Sequence, residues 1–294
     1  MPPGAVSIDV FKARCTACGL CMAACPSRVI RPAGPSAYGL TGLLMPKLDF
    51  SVCSCDVECT RCADVCPSHA LRRLVPAERA RTRVGVAVWD PAAGCTAARG
   101  EAECGLCAVR CPKAAISMAA GADGTAHPVV DERRCIGCGD CQRLCPAKPG
   151  AFRVRPLAVQ SFAFGEETLV AYRPDGSEWT SRSRGVKPLL DALDDPSRPL
   201  AGARLYDRIV GRAAAYLYVA LGIRSVSSPV VSTGALRILR THAIPCDCQE
   251  QVPAIRNRAG TGPCPMDASV QGLADCEIAS AVEAIRAKYE ELAK

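Results

Sequence analysis

The chain has 294 residues, enough for about two domains, and 21 of them are cysteine. No apolar run approaches the ~20 residues that a membrane-spanning helix needs. A formal net charge of +7 suggests nucleic acid as a partner, but with 4% aromatic residues a base-stacking surface is not expected.

The cysteines are distributed very unevenly along the chain. Seventeen of the 21 precede residue 146. Residues 1–154 are also rich in proline and glycine, whereas the remainder has the alternating pattern of an ordinary α/β protein. We therefore predict a first domain over 1–154, built from two modules of about 1–80 and 81–154, and a second domain over 155–294.

The first cysteine motif follows a short lead-in of residues 1–11. It reads Cys15-x2-Cys18-x2-Cys21-x3-Cys25-Pro26. Cysteines at intervals of three place their sulfurs on one tight loop, and the fourth, followed by proline, points out of a short helical turn. This is the spacing of the bacterial ferredoxin signature for a [4Fe–4S] cluster, whose iron requires soft thiolate ligands.

An irregular segment separates this motif from the second one. Residues 31–46 are dense in proline and glycine, which indicates a loop that is either a lid or docking surface or a simple spacer. The second motif is Cys55-x3-Cys59-x2-Cys62-x3-Cys66-Pro67, with Cys53 as a possible substitute for Cys55.

Two further motifs complete the cysteine-rich half. The third is Cys95-x8-Cys104-x2-Cys107-x3-Cys111-Pro112, with an insertion after its first cysteine, and the fourth is the regular Cys135-x2-Cys138-x2-Cys141-x3-Cys145-Pro146. Each has a predicted strand before it (84–89 and 128–131) and another after it (115–118 and 151–154). Four repeats of one motif predict four [4Fe–4S] clusters.

Two other uses of cysteine fit the spacing less well. A disulfide framework is typical of small secreted domains, and residues 1–6 have neither the basic nor the apolar region of a signal peptide. Structural zinc prefers two separated Cys-x-x-Cys knuckles.

The proposed clusters change the interpretation of the charge. Residues 1–154 carry 19 Lys and Arg against 13 Asp and Glu. Each oxidised cluster with four thiolates carries a formal charge of about −2, so four clusters more than offset the excess. We therefore expect no nucleic-acid partner.

The first half resembles the MauM/NapG family of ferredoxin-type proteins, known from methylamine utilisation and periplasmic nitrate reduction. The resemblance depends on Pro2-Pro-Gly-Ala before the first motif, the irregular second motif, the long insertion after Cys95 and the regular fourth motif. Members of the family usually carry a twin-arginine export signal, which this sequence does not show. We therefore expect a cytoplasmic protein.

Ferredoxins with two clusters also imply how the motifs share ligands, because the fourth cysteine of each motif binds the cluster of the other. Carried over to this chain, the rule predicts the following four sets: Cys15, Cys18, Cys21 and Cys66; Cys55, Cys59, Cys62 and Cys25; Cys135, Cys138, Cys141 and Cys111; Cys95, Cys104, Cys107 and Cys145.

The second half begins with a predicted hairpin and continues with amphipathic helices. Residues 168–172 and 177–181 flank the turn Pro174-Asp-Gly176. A short helix from Gly185, a longer one with the apolar stripe Ile209, Ala213, Leu217 and Leu221, a strand over 223–227, a helix from Thr233 and a closing helix with Ile278, Val282, Ile285, Tyr289 and Leu292 follow. The pattern predicts a three-layer α/β/α domain, so the whole chain is of the α+β class.

This half resembles DUF family 1893, whose fold is similar to the cytidine-deaminase superfamily and whose function is not established. The resemblance covers about residues 160–294 and depends on residues 180–189, 207–215 and 257–266. A zinc deaminase needs His-x-Glu on one helix and Pro-Cys-x-x-Cys on the next. The corresponding positions begin Arg212-Ala-Ala and Pro229-Val-Val, so we do not expect deamination.

Four cysteines of the second half remain: Cys246, Cys248, Cys264 and Cys276. They either form a further metal site, which His242 could join, or pack as small apolar side chains.

The sequence thus predicts an iron–sulfur electron carrier that works between a redox protein donor and a redox protein acceptor. Its second domain would dock a partner or bind a small molecule. The alternative is a redox enzyme in which the clusters deliver electrons to a substrate held by the second domain, near residues 257–266.

Overall fold

The fold was obtained as a computed structural model that describes residues 1–51, 53–121, 124–257 and 259–293. The chain divides into two compact units, Met1–Gly165 and Glu166–Lys294. None of the described helices is both long and apolar enough to cross a membrane.

Unit 1 consists of short helices and two-stranded sheets. Its helices are α1 (Ile8–Arg14), α2 (Leu20–Ala23), α3 (Pro35–Tyr38), α4 (Arg61–Asp64), α5 (Pro76–Arg81), α6 (Leu106–Val109) and α7 (Asp140–Leu144). Its strands are β1 (Ile30–Pro32), β2 (Pro46–Leu48), β3 (Thr82–Trp89), β4 (Ile116–Ala120), β5 (Ala126–Val130) and β6 (Phe152–Phe162).

The strands of unit 1 are paired in a way that repeats from one module to the next. β1 follows the first motif and pairs antiparallel with β2, which precedes the second. β4 follows the third motif and pairs antiparallel with β5, which precedes the fourth. β3 and β6 form a further antiparallel pair, so strands border the third and fourth motifs on both sides, as the sequence predicted.

Unit 1 ends later than the predicted boundary at 154/155. β6 continues to Phe162, and its pairing with β3 extends as far as Thr82 with Phe162. Gln160 also binds the start of the chain, because its side-chain amide donates to the Pro2 carbonyl at 2.7 Å and its side-chain oxygen accepts from the Gly4 amide at 3.0 Å. These bonds join residues 155–165 to unit 1, and the sequence boundary is corrected to 165/166.

The irregular segment between the first two motifs contains α3 and a single turn of 3-10 helix over Leu40–Gly42. Leu40, Leu43 and Leu44 are 81%, 47% and 59% exposed. The structure does not choose between a docking surface and a spacer, and both remain predictions.

Unit 2 is a mixed α/β domain. Its helices are α8 (Lys187–Asp194), α9 (Arg212–Leu221), α10 (Thr233–Thr241), α11 (Pro265–Ala268) and α12 (Ile278–Ala293). Its strands are β7 (Leu169–Tyr172), β8 (Glu178–Ser181), β9 (Arg204–Asp207), β10 (Ile209–Val210), β11 (Ser225–Ser232) and β12 (Cys246–Val252).

These strands form one six-stranded sheet. β8, β7, β9, β11 and β12 are neighbours in that order, and β10 pairs with the end of β11. β7 is antiparallel to β8 and β9, whereas β11 is parallel to β9, β10 and β12. The mixed α/β content is as predicted, and the similarity to deaminases remains a prediction.

The core of unit 2 is centred on α9. Ala213, Tyr216, Leu217 and Tyr218 are at most 1% exposed, and the helix packs against α8, α10, α11 and α12. Burial on every side explains why the helix is alanine-rich, since small side chains let neighbouring helices approach.

The predicted apolar stripes wrongly include two residues. Ile209 belongs to β10 rather than to α9 and is 52% exposed, and Leu292 is 54% exposed in the last turn of α12. Both stripes were extended by periodicity into positions where no other element of the unit covers the side chain.

Candidate iron–sulfur sites and a cavity in unit 2

The regular motifs turn back on themselves through left-handed backbone conformations. Gly139 has a φ of 89° and begins α7, which places Cys141 in the first helical turn. Gly19 has a φ of 79° and does the same for Cys21 at α2. The chain therefore wraps around a centre before it enters the helix, and the first three sulfurs of each motif face that centre from one loop.

The first set of thiols, here called group 1, contains Cys15, Cys18, Cys21 and Cys66. The pKa of Cys21 is raised to about 11, mainly by burial and in part by the neighbouring thiols of the other three. All four line one small cavity, together with Phe11, Leu20 and Leu71. The structure thus brings the fourth cysteine of the second motif to the first three of the first motif.

Group 2 contains Cys25, Cys55, Cys59 and Cys62. Burial raises the pKa of Cys55, and the nearby Cys25 and Cys59 thiols also raise it. Burial raises the pKa of Cys62 most strongly, with a further rise caused by Cys55 and Cys59. Cys53 and Cys55 both pack against the same buried cluster of unit 1, and the choice of Cys55 rather than Cys53 as the ligand remains a prediction.

Group 4 contains Cys111, Cys135, Cys138 and Cys141. Burial raises the pKa of Cys138 to about 11, and Asp140, Cys111 and Cys135 contribute to the rise. The four thiols line a second small cavity, closed on one side by Ile116 and Ile136. Here the fourth cysteine of the third motif joins the first three of the fourth motif.

Group 3 is formed by Cys95, Cys104 and Cys107. The pKa of Cys107 is raised to about 11, mainly by burial and in part by Cys104 and Cys95. Cys145 accepts a hydrogen bond from the Ala151 amide at 3.3 Å. Its membership of group 3 remains a prediction.

Backbone amides donate to several of these sulfurs, as is common at iron–sulfur sites. The Sγ atom of Cys135 accepts from the Ala87 amide at 3.3 Å, that of Cys111 from Ala115 at 3.3 Å, and that of Cys66 from Leu71 at 3.5 Å. Each donor belongs to the chain that follows a motif or to a neighbouring strand. Groups 1 and 4, whose thiols line small cavities and accept from backbone amides, fit [4Fe–4S] clusters.

The two modules meet between group 2 and group 4. The Cys55 amide donates to the Cys138 carbonyl at 2.8 Å. Within the second module, a Cβ atom on Gly137 would lie 2.6 Å from the Gly85 backbone, so only glycine lets the loop that carries Cys138 lie this close to β3. A ligand of one group is therefore joined to a ligand of the other by one hydrogen bond.

The four remaining cysteines lie at separate places in unit 2. Cys246 and Cys248 are on β12, Cys264 precedes α11 and Cys276 is exposed. His242 contacts the Asp275 carbonyl at 2.9 Å through its Nε2 atom. Among the described residues of unit 2, no three Cys, His, Asp or Glu side chains could share a single metal ion, so the extra site gains no support.

The largest cavity described in unit 2 lies beside the start of α9. Its polar lining includes Arg182, Arg184, Asp207, Cys264 and Asp267. The Asp267 carboxylate accepts from the Ala213 amide at 3.1 Å and so caps α9, and a Cβ atom on Gly211 would clash with it.

A second carboxyl group faces the same cavity. Burial raises the pKa of Asp207 to about 6, although the Tyr218 hydroxyl donates a hydrogen bond to it. The cavity contains charged side chains of both signs. Sequence reasoning missed it, because its lining residues come from five separate segments of the chain.

Three family models match the chain. Residues 8–31 match the 4Fe-4S binding domain, residues 102–148 the 4Fe-4S dicluster domain, and residues 157–288 the Domain of unknown function (DUF1893). A crystal structure of a DUF1893 family protein from Thermotoga maritima is 24% identical, covers 43% of this chain and 81% of that one, and has a TM-score of 0.37.

Curated proteins match the first part of the chain. The ferredoxin-type protein NapG of Escherichia coli is 31% identical over 176 residues, which are 56% of this chain and 73% of NapG. The methylamine utilization ferredoxin-type protein MauM of Paracoccus denitrificans is 35% identical over 167 residues, which are 53% of this chain and 70% of MauM. The chain therefore belongs to the NapG and MauM family of ferredoxin-type proteins, and a DUF1893 domain follows its ferredoxin part.

Proposed function

We propose that the protein is a polyferredoxin, which carries electrons singly between a redox protein donor and a redox protein acceptor through four [4Fe–4S] clusters. The observation that carries the proposal is the grouping of thiols in unit 1. Three complete groups of four combine cysteines from different motifs, in the exchange that two-cluster ferredoxins use. Group 3, with Cys145, would hold the fourth cluster.

Unit 1 also offers a path for the electron. Groups 1 and 2 are neighbours, since the Cys21 thiol acts on Cys62. The hydrogen bond from Cys55 to Cys138 joins group 2 to group 4. Motifs three and four exchange a ligand through Cys111, which brings group 3 beside group 4. Electrons would thus pass in the order 1, 2, 4, 3, with groups 1 and 3 facing the partners.

The test is anaerobic assembly of the full chain with iron and sulfide, followed by analysis. About 16 iron and 16 sulfide per chain are expected, with a broad absorption shoulder that bleaches with dithionite. Stoichiometric zinc without sulfide would overturn the proposal. The expected cytoplasmic location is a separate prediction, which cell fractionation would check.

For unit 2 we propose docking of a partner or binding of a small molecule. The support is the cavity beside α9, where Arg184 and the carboxyl groups of Asp207 and Asp267 could contact a polar ligand. Mass spectrometry of small molecules that copurify with the full chain tests it. Loss of the copurified compound in Arg184→Ala, but not in the exposed control Arg224→Ala, would assign the compound to the cavity.

The second candidate is an enzyme that reduces such a compound with electrons from unit 1. Reduction of the copurified compound by the dithionite-reduced protein, in step with cluster reoxidation, would favour it. Reoxidation only by a redox protein favours the carrier.

A further inference from the structure

Group 2 has a charged neighbour buried in unit 1. Arg79, near the end of α5, is 0% exposed. Its Nη2 atom donates to the Cys55 Sγ at 3.2 Å, and its Nη1 atom donates to the Thr82 carbonyl at 3.3 Å. Its Nε atom is buried and has no hydrogen-bond partner in the described part of the chain.

A buried guanidinium is costly unless a negative charge accompanies it, because arginine keeps its positive charge in proteins. Glu78 is also 0% exposed, but its carboxylate pairs with Arg72 at 3.2 Å and accepts from the Val75 amide at 3.4 Å. The negative charge that can accompany Arg79 is therefore that of the group 2 thiolates. The Arg79 guanidinium lowers the pKa of both Cys55 and Cys62, against the rise that burial causes.

Group 1 has no comparable neighbour. The Cys66 Sγ atom accepts a hydrogen bond from the Leu71 amide at 3.5 Å and lies 3.8 Å from the Ser68 hydroxyl. Among the described residues, no arginine or lysine side chain donates to Cys15, Cys18, Cys21 or Cys66. Two groups within one module thus hold the same number of thiols in different electrostatic surroundings.

We propose that Arg79 is a tuning residue that raises the reduction potential of the group 2 cluster above that of the group 1 cluster. The inference rests on the proposed function. Reduction adds one electron, supplied by the donor protein, and makes the site more negative by one charge. Arg79 stabilises that charge by its own positive charge and by its hydrogen bond to Cys55, and no proton is transferred because the guanidinium stays protonated.

The consequence is a direction for electron flow within unit 1. An electron that enters at group 1 would move to group 2, whose ligand Cys55 donates a backbone hydrogen bond to Cys138 of group 4. Group 2 thus becomes the place from which the second module is reduced.

The test is a potentiometric titration of the fully assembled chain, monitored by electron paramagnetic resonance. Arg79→Gln removes the charge, and the equilibrium constant for reduction of one cluster should fall at least tenfold, which is 59 mV for a one-electron couple. Arg79→Lys keeps the charge but loses the fork of donors, so a smaller fall is expected. The matched control is Arg61→Gln, which removes an exposed charge from the same motif and should leave all potentials unchanged.

Equal potentials in wild type, Arg79→Gln and Arg79→Lys would overturn the inference while leaving the clusters, and the proposed function, intact. Absence of iron and sulfide from the wild-type chain would instead refute the proposed function. If Arg79→Gln does not assemble, Arg79→Lys decides: wild-type potentials in that variant overturn the contribution of the Cys55 hydrogen bond, and a selective fall supports it.

Discussion

The two units of this protein bury different kinds of side chain. In unit 1 the buried side chains include Cys21, Cys25, Cys62, Cys135 and Cys141, and they form two separate clusters. In unit 2 a single core of aliphatic and aromatic side chains surrounds α9. Thiols that gather around a cavity gain little from burial by themselves, whereas apolar side chains gain directly. The difference implies that unit 1 depends on its metal for folding and that unit 2 does not.

Removal of the clusters should give the largest effect. When iron is extracted with a chelator, we expect unit 1 to lose its structure, because the buried thiols then have no ligand to hold them together. Unit 2 should keep a cooperative unfolding transition. Limited proteolysis with mass spectrometry should leave a resistant fragment that begins near residue 166.

The control is a fragment of residues 166–294, given the same chelator. A fragment that folds only with iron would contradict the comparison. It would also show that Cys246, Cys248, Cys264 and Cys276 hold a metal after all.

Loss of a single cysteine ligand should remove one cluster and leave the other clusters in place. Cys55→Ser is expected to lower the iron content by about one cluster, since Cys55 lies with Cys25, Cys59 and Cys62. Cys53→Ser should leave it unchanged. Iron and sulfide analysis distinguishes the two, and the reverse result would exchange the roles of Cys53 and Cys55.

A substitution that creates a cavity in the core of unit 2 should lower the free energy of unfolding whether or not iron is present. Leu217 is 0% exposed, so Leu217→Ala should lower the free energy of unfolding by about 2–5 kcal/mol. Leu292→Ala, at a position that is 54% exposed, is the control and should change it by less than about 0.5 kcal/mol. Denaturant titrations of the fragment provide the measurement. Equal losses would show that the Leu292 side chain is buried against another element and not exposed at the end of α12.

The smallest expected effect is a dependence of unit 2 on pH. The pKa of Asp207 is about 6 in the folded unit, against 3.8 for an aspartate exposed to water. The folded unit therefore binds the proton more readily than the unfolded chain. Stability should fall by about 2 kcal/mol as the pH rises from about 4 to about 6, and Asp207 should add no further change above about pH 7, where it is ionised in both states.

Asp207→Asn should remove this fall in stability, because an amide does not titrate. Asp175→Asn is the control, since Asp175 is exposed in the turn between β7 and β8 and its hydrogen bonds with Ser177 lower its pKa. A fall in stability that persists in Asp207→Asn would assign the effect to another group.

Local patterns in the sequence predicted much of this protein because they depend on neighbouring residues. The spacing of cysteines predicted the loops at Gly19 and Gly139, and the turn at Pro174-Asp-Gly176 predicted the hairpin of β7 and β8. Helices α8 and α10 begin close to where their patterns indicated. Strands β9 and β12 were missed, since neither has a clear alternation of apolar and polar residues.

The sequence by itself determined the ligand types, the number of motifs and the division into a cysteine-rich and an apolar half. Tertiary structure alone decided that the segment up to Gly165 belongs to unit 1, that Arg79 lies against Cys55, and that a cavity opens beside α9. The physical reason is distance along the chain. Arg79 and Cys55 are 24 positions apart, and Gln160 and Pro2 are 158 apart, so no local pattern relates them. Such contacts exist only once the elements pack, and they decide the electrostatic surroundings in which the thiols must work.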